Sequence, residues 1–172
     1  MDTQPVTPIG IIPATAKHIP AIAEIYAQHV LHGNGTFEET PPDATQMLER
    51  FNALQAQSYP YLVAILEGAV VGFAYAGPHK ARSAYRFTVE NSIYVNQHFQ
   101  GKRIGYRLLD ALIRACEQGG YKQMMAVIGD SNNVGSIALH KAAGFELLGM
   151  AKSIGHKHGQ WLDVVYMQRA LK

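Results

Sequence analysis

The stretch VENSIYVNQHFQGKRIGYRLLDALI, residues 89–113, decides how the rest of the chain is arranged. Residues 89–95 are β-branched and aromatic, a strand composition, with one carboxylate, Glu90, set among them. Ile104, Leu108, Leu109, Leu112, Ile113 and Cys116 recur at helical spacing and mark an amphipathic helix packed on one face. Between strand and helix lies QGKRIGYR, residues 100–107, rich in glycine and cations. The first N–H groups of a helix lack intrahelical partners and sit at the positive end of its dipole. Gly101 and Gly105 let a ligand approach the backbone, and Lys102, Arg103 and Arg107 add positive charge. The junction therefore suits a pyrophosphate or similar anion. It is neither G-x-G-x-x-G nor G-x-x-x-x-G-K-[ST], so the Rossmann and P-loop readings fail.

Upstream, residues 9–12 read as a first strand ended by Pro13, and Ile22, Ile25, Tyr26, His29 and Val30 place a helix over residues 18–31. HGNG, residues 32–35, breaks that helix, and Thr36, Phe37 and Glu38 form a connector. A second helix starts near residues 41–43 and carries Met47, Leu48, Phe51 and Leu54 on one face. Residues 61–67 and 70–77 read as a hairpin turning at Gly68–Ala69, followed by a polar loop over residues 78–85. Downstream, KQMMAVIGD is a buried strand. Asp130, Ser131 or Asn132 then caps a helix running to about Ala143, with Gly144 at its C′ position. Residues 145–150 and 161–171 are two further strands around the turn-rich GHKHGQ. The order β-α-α-β-β-β-α-β-α-β-β predicts a mixed α/β layout, one sheet with helices on its faces.

Composition narrows the classes. The 172 residues suit a single domain over residues 1–172, and 48% hydrophobic with 16% charged residues is globular, not disordered. A net charge of +2 without a basic stripe argues against a nucleic-acid partner. One cysteine excludes an intrachain disulfide or a thiolate metal cluster, and Cys116 reads as core. The opening MDTQPVTPIG has no signal-peptide pattern and no apolar run reaches spanning length, so a cytoplasmic protein with no membrane partner is expected. His156 and His158 lack an evident third ligand, so no metal is expected.

The 100–105 loop resembles the acyl-CoA loop of the GNAT superfamily of N-acetyltransferases, [QR]-x-x-G-x-[GA]. Gln100, Gly101, Lys102, Ile104 and Gly105 fit it, while Arg103 stands where the middle glycine is usual. A second signature, Asn133-x-x-Ser136-x-x-Leu139-His140-x-x-x-Gly144-Phe145, looks like the other half of that acyl-CoA site. A third, AYAGPHKARSAYRFTVENSIYV (residues 74–95) with GHKHGQWLDVVYMQ (residues 155–168), resembles the phosphinothricin N-acetyltransferase-like family. That family also acetylates methionine sulfoximine, and the resemblance runs from the first helix to the last strand.

The resemblance implies the GNAT fold, a central mixed, largely antiparallel sheet flanked by helices. It implies acetyl-CoA as co-substrate, direct attack in a ternary complex, a small amino-acid-like acceptor and a homodimer. Tyr94, Val95, residues 100–105 and Tyr106 would hold acetyl-CoA together with Asn133 and Ser136. An acceptor ammonium must lose a proton before it attacks, and Glu90 is the first candidate base, with His140 the second. His140 is alternatively a group that steadies the departing thiolate, or a packed helix histidine. A backbone N–H near Tyr94–Val95 would face the developing oxyanion. Lys80 and Arg82 suit the acceptor carboxylate, and Phe37 and Tyr85 would wall its side chain. Acetylation of another amine (a protein N-terminus, a polyamine, an aminoglycoside) is the nearest rival. A non-catalytic acetyl-CoA-binding module is the rival from another class.

Overall fold

The computed structural model describes residues 8–172. The reading of the opening residues as free of a signal segment falls mainly on residues 1–7 and lies outside them. In chain order the elements are β1 (Gly10–Pro13), α1 (Ile19–His32), α2 (Ala44–Ala56), β2 (Tyr61–Leu66), β3 (Ala69–Pro78), β4 (Thr88–Val95), α3 (Ile104–Gln118), β5 (Gln123–Gly129), α4 (Val134–Ala142), β6 (Glu146–Lys157) and β7 (Gln160–Ala170). Seven strands form one sheet in the order β1-β2-β3-β4-β5-β7-β6. Only β4 and β5 pair in parallel, and the helix α3 supplies the crossover that a parallel pair requires.

Strand alternation divides the core in two. Leu62, Ala64, Val71, Ala74 and Val89 face α3. Tyr61, Val63 and Phe73 point the other way, against α1 and α2. All six stripe residues of α3, Ile104 through Cys116, are buried, each worth roughly 1.5–3 kcal/mol of apolar transfer for the larger side chains. Burial pushes the Cys116 thiol up to about 12, consistent with a core residue. Asp43 caps α2 in a reciprocal box with Gln46.

Three expectations need correcting. The turn-rich GHKHGQ is mostly strand: β6 runs to Lys157, and the reversal takes only His158 and Gly159, at φ 51° and 72°. Two positive-φ residues suffice for a hairpin whose twist matches its strands. The cap of α4 is Asn133, whose side chain accepts from Ser136 N at 3.2 Å. Asp130 closes the turn before it, accepting from Asn132 N at 2.6 Å. The β2–β3 reversal likewise sits one residue early, on Glu67 and Gly68, both at positive φ. No helix among the described residues is long and apolar enough to cross a membrane.

Candidate functional site

Pairing between β4 and β5 covers only Thr88↔Gln123 to Glu90↔Met125, although β4 continues to Val95 and β5 to Gly129. Beyond Glu90 the two strands diverge, and a cleft of about 720 Å³ opens between them. Asn91 stands at the point of divergence. Its Nδ2 donates to the Met125 carbonyl at 3.1 Å, and its Oδ1 lies 3.0 Å from His140 Nε2. The other ring nitrogen, Nδ1, faces the Ser136 carbonyl at 2.8 Å. His140 is buried, and burial holds its pKa below the ordinary value while the Ser136 carbonyl opposes. Both ring nitrogens thus have a protein partner, and the neutral ring donates from only one of them.

On the β3 side β4 is regularly paired, without a register shift, and Asn96 N donates to Val71 O at 2.9 Å. Alternation then turns the N–H groups of Ile93 and Val95 away from β3 and toward the cleft. The Tyr94 N–H faces β3 instead. His29 Nε2 donates to the Val95 carbonyl at 2.9 Å, and burial lowers the pKa of this ring too.

At the cleft's other end lies the start of α3. Gly101 takes φ 80°, and Arg103, the N-cap, takes φ 59° and ψ 19°, a left-handed conformation. That explains why a glycine is usual at this position, and an arginine there costs about 1–2 kcal/mol. Arg103 borders both the cleft and an outer groove along α3 that also meets Lys102 and Arg107. Lys102 lies on the groove, not in the cleft. Gln100, Gly101, Ile104, Gly105 and Tyr106 all line the cleft. So do Tyr94, Val95, Asn133, Ser136, Glu90 and His140. Asn133 also uses its Nδ2 on the Gly129 carbonyl, at 3.2 Å.

Glu90 points to the α1/α2 face, opposite Asn91. Its carboxylate is 37% exposed and meets His79 Nδ1 at 3.3 Å. Tyr85 sits edge-on to His79, and Lys80 Nζ lies 5.7 Å from the Tyr85 ring centre. The structure therefore gathers Lys80 and Tyr85 near Glu90 through a histidine, while Arg82 is exposed on the same loop. Phe37 stands apart from this cluster, against Gly129, which lines the cleft, and Gly155. On this face Thr36 meets the Tyr26 hydroxyl at 2.9 Å. Tyr26 also donates to Glu38, which Arg50 grips with both guanidinium nitrogens at 2.7 and 2.9 Å.

Asn91, His79, His29, Thr36 and Lys157 escaped the sequence reading. Asn91 had a signal: it is polar among Val89, Ile93 and Val95 on one strand face. The others act through contacts far apart in sequence and leave no local pattern. Among the described residues no group of three or more His, Cys, Asp or Glu side chains is placed to hold a metal ion. His156 packs on Trp161, and His158 meets Asn34.

Residues 23–145 match the Acetyltransferase (GNAT) family. The phosphinothricin N-acetyltransferase of Alcaligenes faecalis is 47% identical over 153 residues, 89% of this chain and 78% of that protein. The L-methionine sulfoximine/L-methionine sulfone acetyltransferase of Pseudomonas paraeruginosa is 39% identical over 156 residues, 90% of each chain. Among solved structures, a GNAT superfamily phosphinothricin acetyltransferase from Sinorhizobium meliloti in complex with acetyl-CoA superposes with a TM-score of 0.92. It is 48% identical, and the match covers 95% of this chain and 88% of that one.

Proposed function

The chain belongs to the GNAT acetyltransferase family, and from that premise we propose that it moves an acetyl group from acetyl-CoA to the α-amine of a small amino-acid-like acceptor of the phosphinothricin or methionine sulfoximine type. The observation that carries this reading is the divergence of β4 from β5 beside the cation-rich start of α3. A pantetheine arm fits a slot where β4 turns unpaired N–H groups inward, and its pyrophosphate fits the 100–105 backbone. Acetyl-CoA supplies an activated acyl group, and the acceptor amine attacks its carbonyl directly.

The residues divide the work as follows. Glu90 takes the proton from the acceptor ammonium, and the Val95 N–H faces the carbonyl oxygen as negative charge develops. Of the two candidate bases the geometry favours Glu90, because both His140 nitrogens already have protein partners. His140 holds Asn91 at the vertex of the slot, and the departing thiolate takes up the proton that the acylated nitrogen loses. Arg82 and Lys80 meet the acceptor carboxylate, and their positive charge disfavours a polyamine or aminoglycoside. A cytoplasmic setting accords with one buried, unpaired cysteine.

The same reading includes a homodimer. β6 ends the sheet, and Leu147, Leu148, Met150 and Ile154 on it, with Trp161 beside it on β7, are exposed. An apolar sheet edge of this kind favours pairing with another chain. A mass near twice 18.9 kDa by light scattering is expected.

The deciding experiment is acetyl-CoA-dependent thiol release against phosphinothricin, methionine sulfoximine, methionine sulfone, the common amino acids, spermidine, an aminoglycoside and a short peptide. Release with amino-acid-like acceptors alone is expected. Release with spermidine or peptide alone would keep the fold and overturn the acceptor. Silence with acetyl-CoA still bound would favour a binding module.

A further inference from the structure

Lys157, at the end of β6, is the most deeply buried charged side chain among the described residues, at 1% exposure. Its ammonium donates to the carbonyls of Gly33 and Thr36, each at 2.8 Å. Both belong to the connector between α1 and α2. Burial lowers the lysine's pKa, against the opposing charges of Glu39 and Glu38. A buried ammonium is costly unless its donors are used, and here they fasten a connector to a hairpin far away in sequence.

The same two elements meet at Phe37. A Cβ on Gly155 would lie 2.3 Å from the Phe37 ring, and the three nearest atoms are all in that ring. A Cβ on Gly129, at the end of β5, would lie 2.5 Å from the ring's other side. Neither glycine has a positive φ, so close neighbours demand them: the Phe37 ring at both, with the Asn34 carbonyl 2.8 Å from the Cβ position at Gly129 as well. Asn34 adds a bond to Asp130 Oδ2 at 3.2 Å. Thr36 is itself buried and bonds Tyr26 on α1, whose ring meets Tyr94 of β4 edge-on at 5.0 Å. Tyr94 shares its strand face with Glu90, and Gly35 lines the cleft. The fastened connector therefore stands on the Glu90 face of the sheet, where the acceptor reaches the base.

We propose that Lys157 is a positioning residue for the acceptor: by holding the Gly33 and Thr36 carbonyls it seats Phe37 between Gly129 and Gly155 as a fixed wall, and so sets which acceptor side chains fit. The proposal rests on the acetyltransferase reading above. A loosened wall leaves the acetyl-CoA site intact but raises the entropy lost when the acceptor is ordered.

The test is steady-state kinetics on the full chain, varying acetyl-CoA and the best acceptor of the panel separately. Lys157→Met should raise the acceptor KM at least tenfold and leave the acetyl-CoA KM within twofold. Gly155→Ala should shift the acceptor KM in the same direction. Its effect should vanish in a Phe37→Ala background, because the added methyl then has no ring to meet. This cycle decides alone if Lys157→Met does not fold. An acceptor KM unchanged in Lys157→Met, or rising in step with that of acetyl-CoA, overturns the proposal. So does a Gly155→Ala effect that persists without Phe37. Wild-type protein that acetylates no amino-acid-like acceptor overturns the functional reading as well, which separates the two failures.

Discussion

Asn91 Oδ1 lies 3.0 Å from His140 Nε2 while Asn91 Nδ2 donates to the Met125 carbonyl. One buried amide thus ties β4, β5 and α4 together where the two strands part. Asn91→Ala leaves a carbonyl and an imidazole without that partner. The expected loss is about 1–3 kcal/mol of stability, read as a lower urea midpoint, together with a fall in kcat. An unchanged midpoint would remove the amide from this structural role.

His140 and His29 also predict how stability follows pH. Burial lowers both pKa values from 6.5, so the folded chain binds fewer protons than the unfolded one just below that pH. Stability should be fully present above about pH 6.5 and fall as acid protonates the unfolded state. Glu38, held low chiefly by Arg50, adds a second loss only below 4.5. Thermal midpoints recorded from about pH 8 to pH 5 test this, and a flat profile contradicts it.

Glu90→Gln should cut kcat/KM by about 10²–10⁴ and leave acetyl-CoA affinity unchanged. The carboxylate is partly exposed and bonded to His79, so the fold should tolerate the change. Wild-type rates across the whole pH range would rule Glu90 out as the base.

Arg82→Ala should raise the acceptor KM far more than the acetyl-CoA KM, because Arg82 lies on the exposed loop beside Glu90 and not in the cleft. Equal effects on both substrates would sink the carboxylate-clamp assignment.

Arg103→Gly separates strain from charge. Removing a left-handed arginine should stabilise the fold by about 1 kcal/mol, seen as a higher thermal midpoint. Loss of a cation at the edge of the cleft should weaken acetyl-CoA binding severalfold by calorimetry. Tighter binding would show that the guanidinium obstructs the site.

The α3 stripe was legible because helical periodicity is a local property, and every residue it marked is buried. The loop before it was legible by composition too, and its two glycines line the cleft. The mixed sheet followed from element order, since an antiparallel hairpin needs two residues to turn and a parallel pair needs a crossover. Local signals erred where a turn needed fewer residues than its composition suggested, as at His158 and Gly159.

By itself, then, the sequence determined the elements, their order and the family to which they belong, because propensity, periodicity and motif spacing act over a few turns of chain. Only the tertiary structure decided what each polar side chain is paired with. Lys157 finds its carbonyls more than a hundred residues away, and Asn91 finds Met125 and His140 on two other elements. A buried polar group must be satisfied wherever folding places a partner, and no local pattern records where that will be.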